Sequence, residues 1–570
     1  MALRIAVRVF CVSLAVSLAN AQTPEPAAKP AAEAKPEKKP AAPEMPPDIK
    51  AINEASKITD PEKKIEALGK VKKDFPDSNG ARVADSQILS TLLKKMPEQK
   101  GRILQQAKSV YRSAEAKDRG REAASIANEF LGANLFLKEA ESYAKQGVKS
   151  MVLATYVKDQ LAGYEKRKQK PPSTEELEKR FRENRAERLA TLGRIEVKLG
   201  KTAQGKKMLE EVYAIISDNG AVDAALGELA AKAGDDSKAM EYLLLARLSG
   251  KAPESAIEAM NAIYRKSHNG STDGIEAMLD TEYHKRYPNP VKVEAYQPSE
   301  KRSDRLVLAE VFSGSGCPPC VAADLAFDAT MERYRPKDLA VIVYHVHIPR
   351  PDPMTNVQTE ARRQNYGVNG VPSYAIDGDK SGGGGPREYA KNVFERAQKS
   401  IEKDLDAPAE AKLKLAAAVN GNSVKVSASL ADVKSESVDL KLQIALVEKE
   451  IRYNGENGIR FHSMVVRALA GEKGEGFAVA QGAAAAPFEE TFDLEKISQA
   501  IKAHLDDYEA KGHRGESFKF SDKKYQIDRG DLAVVAFVQD EKTKHVLQAA
   551  YVDLSTGGAG HTVTEANGSK

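Results

Sequence analysis

Leu306-Val307-Leu308-Ala309-Glu310-Val311-Phe312-Ser313-Gly314-Ser315-Gly316-Cys317-Pro318-Pro319-Cys320 holds an apolar run, a turn of small residues and two thiols separated by two prolines. The apolar run reads as a buried strand and the stretch after Cys320 as a helix, which places Cys317 at a strand-to-helix junction. The free N–H groups and positive end of a helix stabilise a thiolate there. A thiolate is the form of sulfur that attacks a disulfide. The spacing brings both sulfurs onto one turn, where they can bond to each other and reopen. Further on, Gly370-Val371-Pro372-Ser373 precedes the apolar Tyr374-Ala375-Ile376. An X-Pro bond just ahead of a strand is a candidate cis-proline.

These pieces, spanning Arg305 to Lys403, resemble the thioredoxin superfamily in kind and in order. The resemblance implies an α/β thioredoxin-like domain and thiol-disulfide exchange on the cysteines of other proteins, with no bound organic cofactor. It implies Cys317 as the exposed nucleophile and Cys320 as the buried resolving thiol. It also implies Pro372 as the cis-proline facing them, with Gly370 and Val371 beside it in the substrate groove. Glu310 stands where relatives hold a buried acid that relays the resolving thiol's proton. It lies seven residues before Cys317, one farther than in thioredoxin, an offset that Ser313 to Gly316 could absorb; an exposed strand-end glutamate is the alternative. The chain departs from thioredoxin in having Gly316 before the first cysteine, Pro-Pro between the pair, and no Trp.

Two other classes stay open. A lone CxxC is also half of a zinc ribbon, but no second pair exists, so a four-cysteine site within one chain is excluded. His345 and His347 would face the same side of a strand. With the thiols they form the set of a copper- or zinc-binding metallochaperone. The third class is a protein-binding scaffold without activity.

Three cysteines occur in 570 residues. Cys11 lies in an N-terminal stretch with Arg4, Arg8, an apolar region and Ala19-Asn20-Ala21, which reads as a secretory signal peptide over 1–21. Export, to the periplasm or an outer surface, leaves the two motif cysteines alone. A net charge of +4 over this length gives no footprint for nucleic acid. No later apolar run reaches the roughly 18 residues of a membrane helix, so no transmembrane anchor is expected after cleavage.

Residues 22–48, rich in Pro, Ala, Lys and Glu, read as a disordered tether, and 557–570 as a disordered tail. Residues 49–288 show helical periodicity, with Pro171-Pro172 inside an expected loop over Glu165 to Lys179. Leu192-Gly193, Gly200 and Leu209 return 34 residues later as Leu226-Gly227, Gly234 and Leu243, in a register that resembles the tetratricopeptide repeat. That resemblance implies a concave surface for a protein or peptide; a rigid spacer is the alternative. Residues 289–405 hold the thioredoxin-like unit. In 406–556, short strands joined by turns such as Asn420-Gly421-Asn422-Ser423 read as a β-sandwich with one inserted helix. The order of these two units resembles a bacterial exported family of poorly defined function. The fold class expected is therefore multidomain: helical repeats, an α/β unit, then a sandwich.

Overall fold

The computed structural model describes residues 45–480, 487–513 and 517–555. The expected signal peptide, the tail and nearly all of the tether lie outside them. Among the described residues, thirteen helices precede the first strand. They are α1 (Pro47–Ser56), α2 (Pro61–Asp74), α3 (Asn79–Lys95), α4 (Lys100–Ser113), α5 (Arg119–Ala133), α6 (Leu137–Lys149) and α7 (Leu153–Lys166), then α8 (Thr174–Lys198), α9 (Thr202–Ile215), α10 (Gly220–Lys232), α11 (Asp236–Leu248), α12 (Glu254–Ser267) and α13 (Ile275–Arg286).

The repeat is visible as a recurring close approach. A Cβ on Gly193 of α8 would lie 3.1 Å from Leu209 of α9, and one on Gly227 of α10 would lie 2.6 Å from Leu243 of α11. Small residues let paired helices cross closely at both places. Gly200 and Gly234, at φ +82° and +78°, end α8 and α10 in the left-handed conformation that glycine adopts without cost. The loop expected over Glu165 to Lys179 is shorter than its composition implied. Ser173 Oγ accepts the Glu176 N–H at 3.2 Å, and Glu175 and Glu176 fill the first turn, so α8 starts at Thr174.

The α/β part begins with β1 (Val307–Ser313), α14 (Cys320–Arg333), β2 (Leu339–His345), α15 (Val357–Asn365), β3 (Ser373–Ile376), β4 (Asp379–Gly382) and α16 (Ala390–Leu405). It continues through β5 (Lys412–Asn420), β6 (Ser423–Ala431), β7 (Leu440–Arg452), β8 (Phe461–Leu469), β9 (Phe477–Ala478), β10 (Phe488–Asp493), α17 (Leu494–Lys511), β11 (Leu532–Asp540) and β12 (Val546–Asp553). β1 pairs in parallel with β2 and antiparallel with β3.

The segment read as a separate sandwich is not separate. One sheet runs β12-β11-β7-β8-β2-β1-β3-β4, with β9 also on β7, so the C-terminal strands extend the sheet that begins beside the cysteines. Only β5, β6 and β10 form a second sheet. The junction is narrow, with Val343 of β2 facing Val465 of β8 in parallel. The physical reason is double-sided burial. Ala445, Val447, Ala533, Val535 and Phe537 pack into the core shared with β1 and β2. Their neighbours Ile444, Leu446, Val534, Ala536 and Val538 pack against β5 and β6. Strands covered on both faces carry continuous apolar runs. The sheet also bends back on itself: Val546 donates its N–H to Asp377 O at 3.1 Å, and Leu306 donates to Gln548 Oε1 at 2.9 Å.

Two measurements test this packing. Gly205→Ala would set a Cβ 2.7 Å from Gly193 O, so it destabilises by about 1–3 kcal/mol in denaturant melts. Gly132→Ala, with nothing within 4 Å, stabilises by up to about 1 kcal/mol. Asp223 of α10 is buried with neither carboxylate oxygen hydrogen-bonded, and burial pushes its pKa up to about 8. The folded chain then holds a proton that the unfolded chain has released, so stability falls as pH rises from about 4 to about 8. Asp223→Asn removes that slope.

Candidate functional site

The turn after β1 carries both cysteines, joined as a disulfide, with Cys320 opening α14. Cys317 O accepts the Cys320 N–H at 3.1 Å, which closes the turn. Val371-Pro372 is cis, and Val371 O stands 3.6 Å from Cys317 Sγ. The structure thus brings Cys317, Cys320, Val371 and Pro372 together, with Gly370 just outside that contact. Cys317 is not the exposed thiol the resemblance implied. Both cysteines have 0% relative exposure, although Pro318 and Pro319 reach the surface. The glycine run after β4 forms part of the wall. Gly385 donates its N–H to Pro319 O at 2.8 Å and accepts that of Ala322 at 3.2 Å. A Cβ on the neighbouring Gly384 would collide with Pro319 O and the Pro372 ring.

Glu310 is buried, but it is not brought to the dithiol. Ser313 Oγ donates to Asp324 of α14 at 2.7 Å, so Ser313, Val311 and Ala309 face α14. Glu310 faces the opposite side. There it accepts 2.9 Å hydrogen bonds from Arg362 Nε and the Tyr344 hydroxyl, and another from the Tyr366 hydroxyl. Its role is an ion pair between β1 and α15, not a link to Cys320.

A carboxylate on the side of β1 that faces α14 is Asp324, one helical turn after Cys320 on the same face of α14. Burial raises its pKa to about 6, and that of Asp328 one turn farther to about 7. Both line a cavity of about 20 Å³ together with His345, His462 and Ser463, a volume on the scale of one water. Ser463 Oγ donates to Asp328 at 2.8 Å. Asp352 adds a second anchor. It accepts the Ser315 N–H at 2.6 Å and bonds His345 Nδ1 at 3.0 Å. Burial alone would lower the His345 pKa, but the adjoining Asp352 and Asp324 carboxylates more than offset this and raise it.

His345 and His347 do not share a strand face, because β2 ends at His345. His347 accepts the Asp352 N–H at Nδ1 and packs against the Tyr508 ring at a 32° tilt, 3.8 Å between centroids. Burial lowers its pKa to about 4. Among the described residues no three His, Cys, Asp or Glu side chains gather as metal ligands, so the thiols and the two histidines do not form the expected set. His462 and Arg467 are buried and tied to backbone carbonyls, His462 to Tyr453 O and Arg467 to Lys524 O. No described helix is long and apolar enough to cross a membrane.

No family model matches the chain, and no curated protein matches it. A solved structure titled "Functional Characterization of Pseudomonas Aeruginosa pilF" is similar at 14% identity and a TM-score of 0.27, covering 42% of this chain and 94% of that one. At that level it assigns nothing to the dithiol.

Glu310→Ala strands the Arg362 guanidinium in the core and costs about 3–5 kcal/mol of stability in urea unfolding. A stable Glu310→Ala protein with an altered pH profile at the dithiol would return the relay role to Glu310.

Proposed function

We propose that this chain is an exported thiol-disulfide oxidoreductase of the thioredoxin superfamily, acting on protein cysteines through Cys317 and Cys320. The observation that carries the reading is the Cys317–Cys320 disulfide at the start of α14, facing Val371-Pro372 across 3.6 Å. The helix start favours a thiolate there. In the reducing direction, the Cys317 thiolate attacks a substrate disulfide, forming a mixed disulfide and expelling the substrate's second sulfur as a thiolate. Cys320, having lost its proton, then attacks Cys317 Sγ. The substrate's first thiolate leaves, so the substrate gains two electrons and the pair becomes a disulfide. In the oxidising direction each step runs backwards.

We assign Asp324 the role of taking the Cys320 proton. It follows Cys320 by one turn of α14, and its pKa near 6 lets it hold or release a proton close to neutral pH. The signal-like stretch 1–21 supports export and the helical repeats support a protein partner, while the pair itself needs no organic cofactor.

Equilibration of the chain against a glutathione series, read by thiol alkylation, tests the proposal. A reversible two-electron transition, lost in Cys317→Ser, is expected. A potential near about −120 mV identifies a disulfide donor and one near about −250 mV a reductase. Failure to cycle ends the reading. Resolution of the mixed disulfide speeds up as pH rises through about 6, where Asp324 becomes a carboxylate. Asp324→Asn removes that step and slows resolution at least about tenfold.

A further inference from the structure

The connection between β7 and β8 packs against the backbone of the turn that carries Cys317. Asn457 donates its backbone N–H to Ser315 O at 3.0 Å. Its side-chain amide lies 3.4 Å from both Gly314 O and Cys317 O. Gly455 approaches so closely that a Cβ there would sit 2.8 Å from Ser315 O. Next to it, Glu456 pairs with Arg350, and a Cβ on Gly316 would lie 3.0 Å from the Arg350 stem. Two loops are therefore joined across the turn that holds the nucleophile.

The same connection is gripped from behind by the helical repeats. Arg460, buried, donates to Asp280 at 2.7 Å and to the Glu276 carboxylate at 2.6 Å, both on α13. Its remaining amine donates to Asn454 Oδ1 at 2.6 Å. Gly250, just past α11 at φ +68°, comes so near that a Cβ would lie 2.5 Å from Asn454 O and Gly455 O. Between these anchors the chain reads Asn454-Gly455-Glu456-Asn457-Gly458. It has no apolar side chain to bury, and only Ile459 at its end enters the core. A segment seated by hydrogen bonds and one charge cluster, with two glycines, belongs to the low-stability end of a structure.

Building on the oxidoreductase reading, we propose that residues 454–459 are a lid over the dithiol, latched to the helical repeats through Arg460. The grip of α13 on Arg460 then sets how often Cys317 is open to a substrate sulfur. The repeats regulate the site through this latch, without touching the sulfurs themselves.

The test measures two rates on the full chain: reduction of the disulfide by dithiothreitol, which supplies the two electrons, and alkylation of the reduced protein by iodoacetamide. Asp280→Asn loosens the latch and touches no residue of the cysteine turn; Asn457→Ala loosens the other end of the lid. Both variants react about tenfold faster than the parent chain, as expected when opening limits the reaction. Asn457→Ala keeps the test standing if Asp280→Asn lowers the melting temperature. Unchanged or slower rates in both variants, with a parent pair that cycles normally, overturn the lid and leave the redox reading intact. A pair that cycles in no variant overturns both.

Discussion

The ion pair between Glu310 and Arg362 is the constraint on which the α/β architecture turns. A guanidinium enclosed by protein must be matched on every side, or its desolvation goes uncompensated. Arg362 meets that demand with Glu310 of β1 and with Gln539 of β11 at 2.6 Å, while its plane lies near the Tyr366 and Phe537 rings. One residue of α15 thereby ties the strand beside the cysteines to a strand over 170 residues later. The joined sheet follows from the same requirement. Moving β11 away would strip the Gln539 partner from Arg362 and expose the apolar face that Phe537 and Val535 share with β1 and β2.

Much of this was legible in the chain. Cys317-Pro318-Pro319-Cys320, Val371-Pro372 and the 34-residue echo of Gly193 in Gly227 state local geometry directly, because spacing and small side chains decide it. The union of two expected domains was not. The signal existed: Ile444 to Val447 and Ala533 to Val538 are apolar without alternation, whereas Val424, Val426, Ala428 and Leu430 alternate with polar residues. The first pattern belongs to strands covered on both faces and the second to strands covered on one. Period alone names the number of buried faces and not the partner, so the joined sheet stayed hidden.

The acids Glu310 and Asp324 show a similar divide. Glu310 was singled out by counting back along the strand, and the pleat turned it to the wrong side. Counting forward along the helix from Cys320 reaches Asp324, on the same face by simple 3.6-residue periodicity. Asp352 offered no such route. It sits in a proline-rich loop, where no period fixes direction, and only tertiary structure brings it to Ser315 and His345.

The pairing of Leu306 with Gln548 spans 242 residues, and contacts of that separation form late in folding. Chains emerge from their N-terminal side, so Cys317 and Cys320 are made well before β11 and β12 exist to complete the sheet. Residues 454–459 also follow Cys320 by more than 130 positions, so until they and then β11 arrive, neither the wall against the cysteine turn nor the Gln539 anchor of Arg362 is in place. Each newly made molecule therefore passes through an interval in which the cysteine turn lacks the segment that packs against it in the finished fold, and the surroundings, not the fold, then decide whether the two thiols are joined.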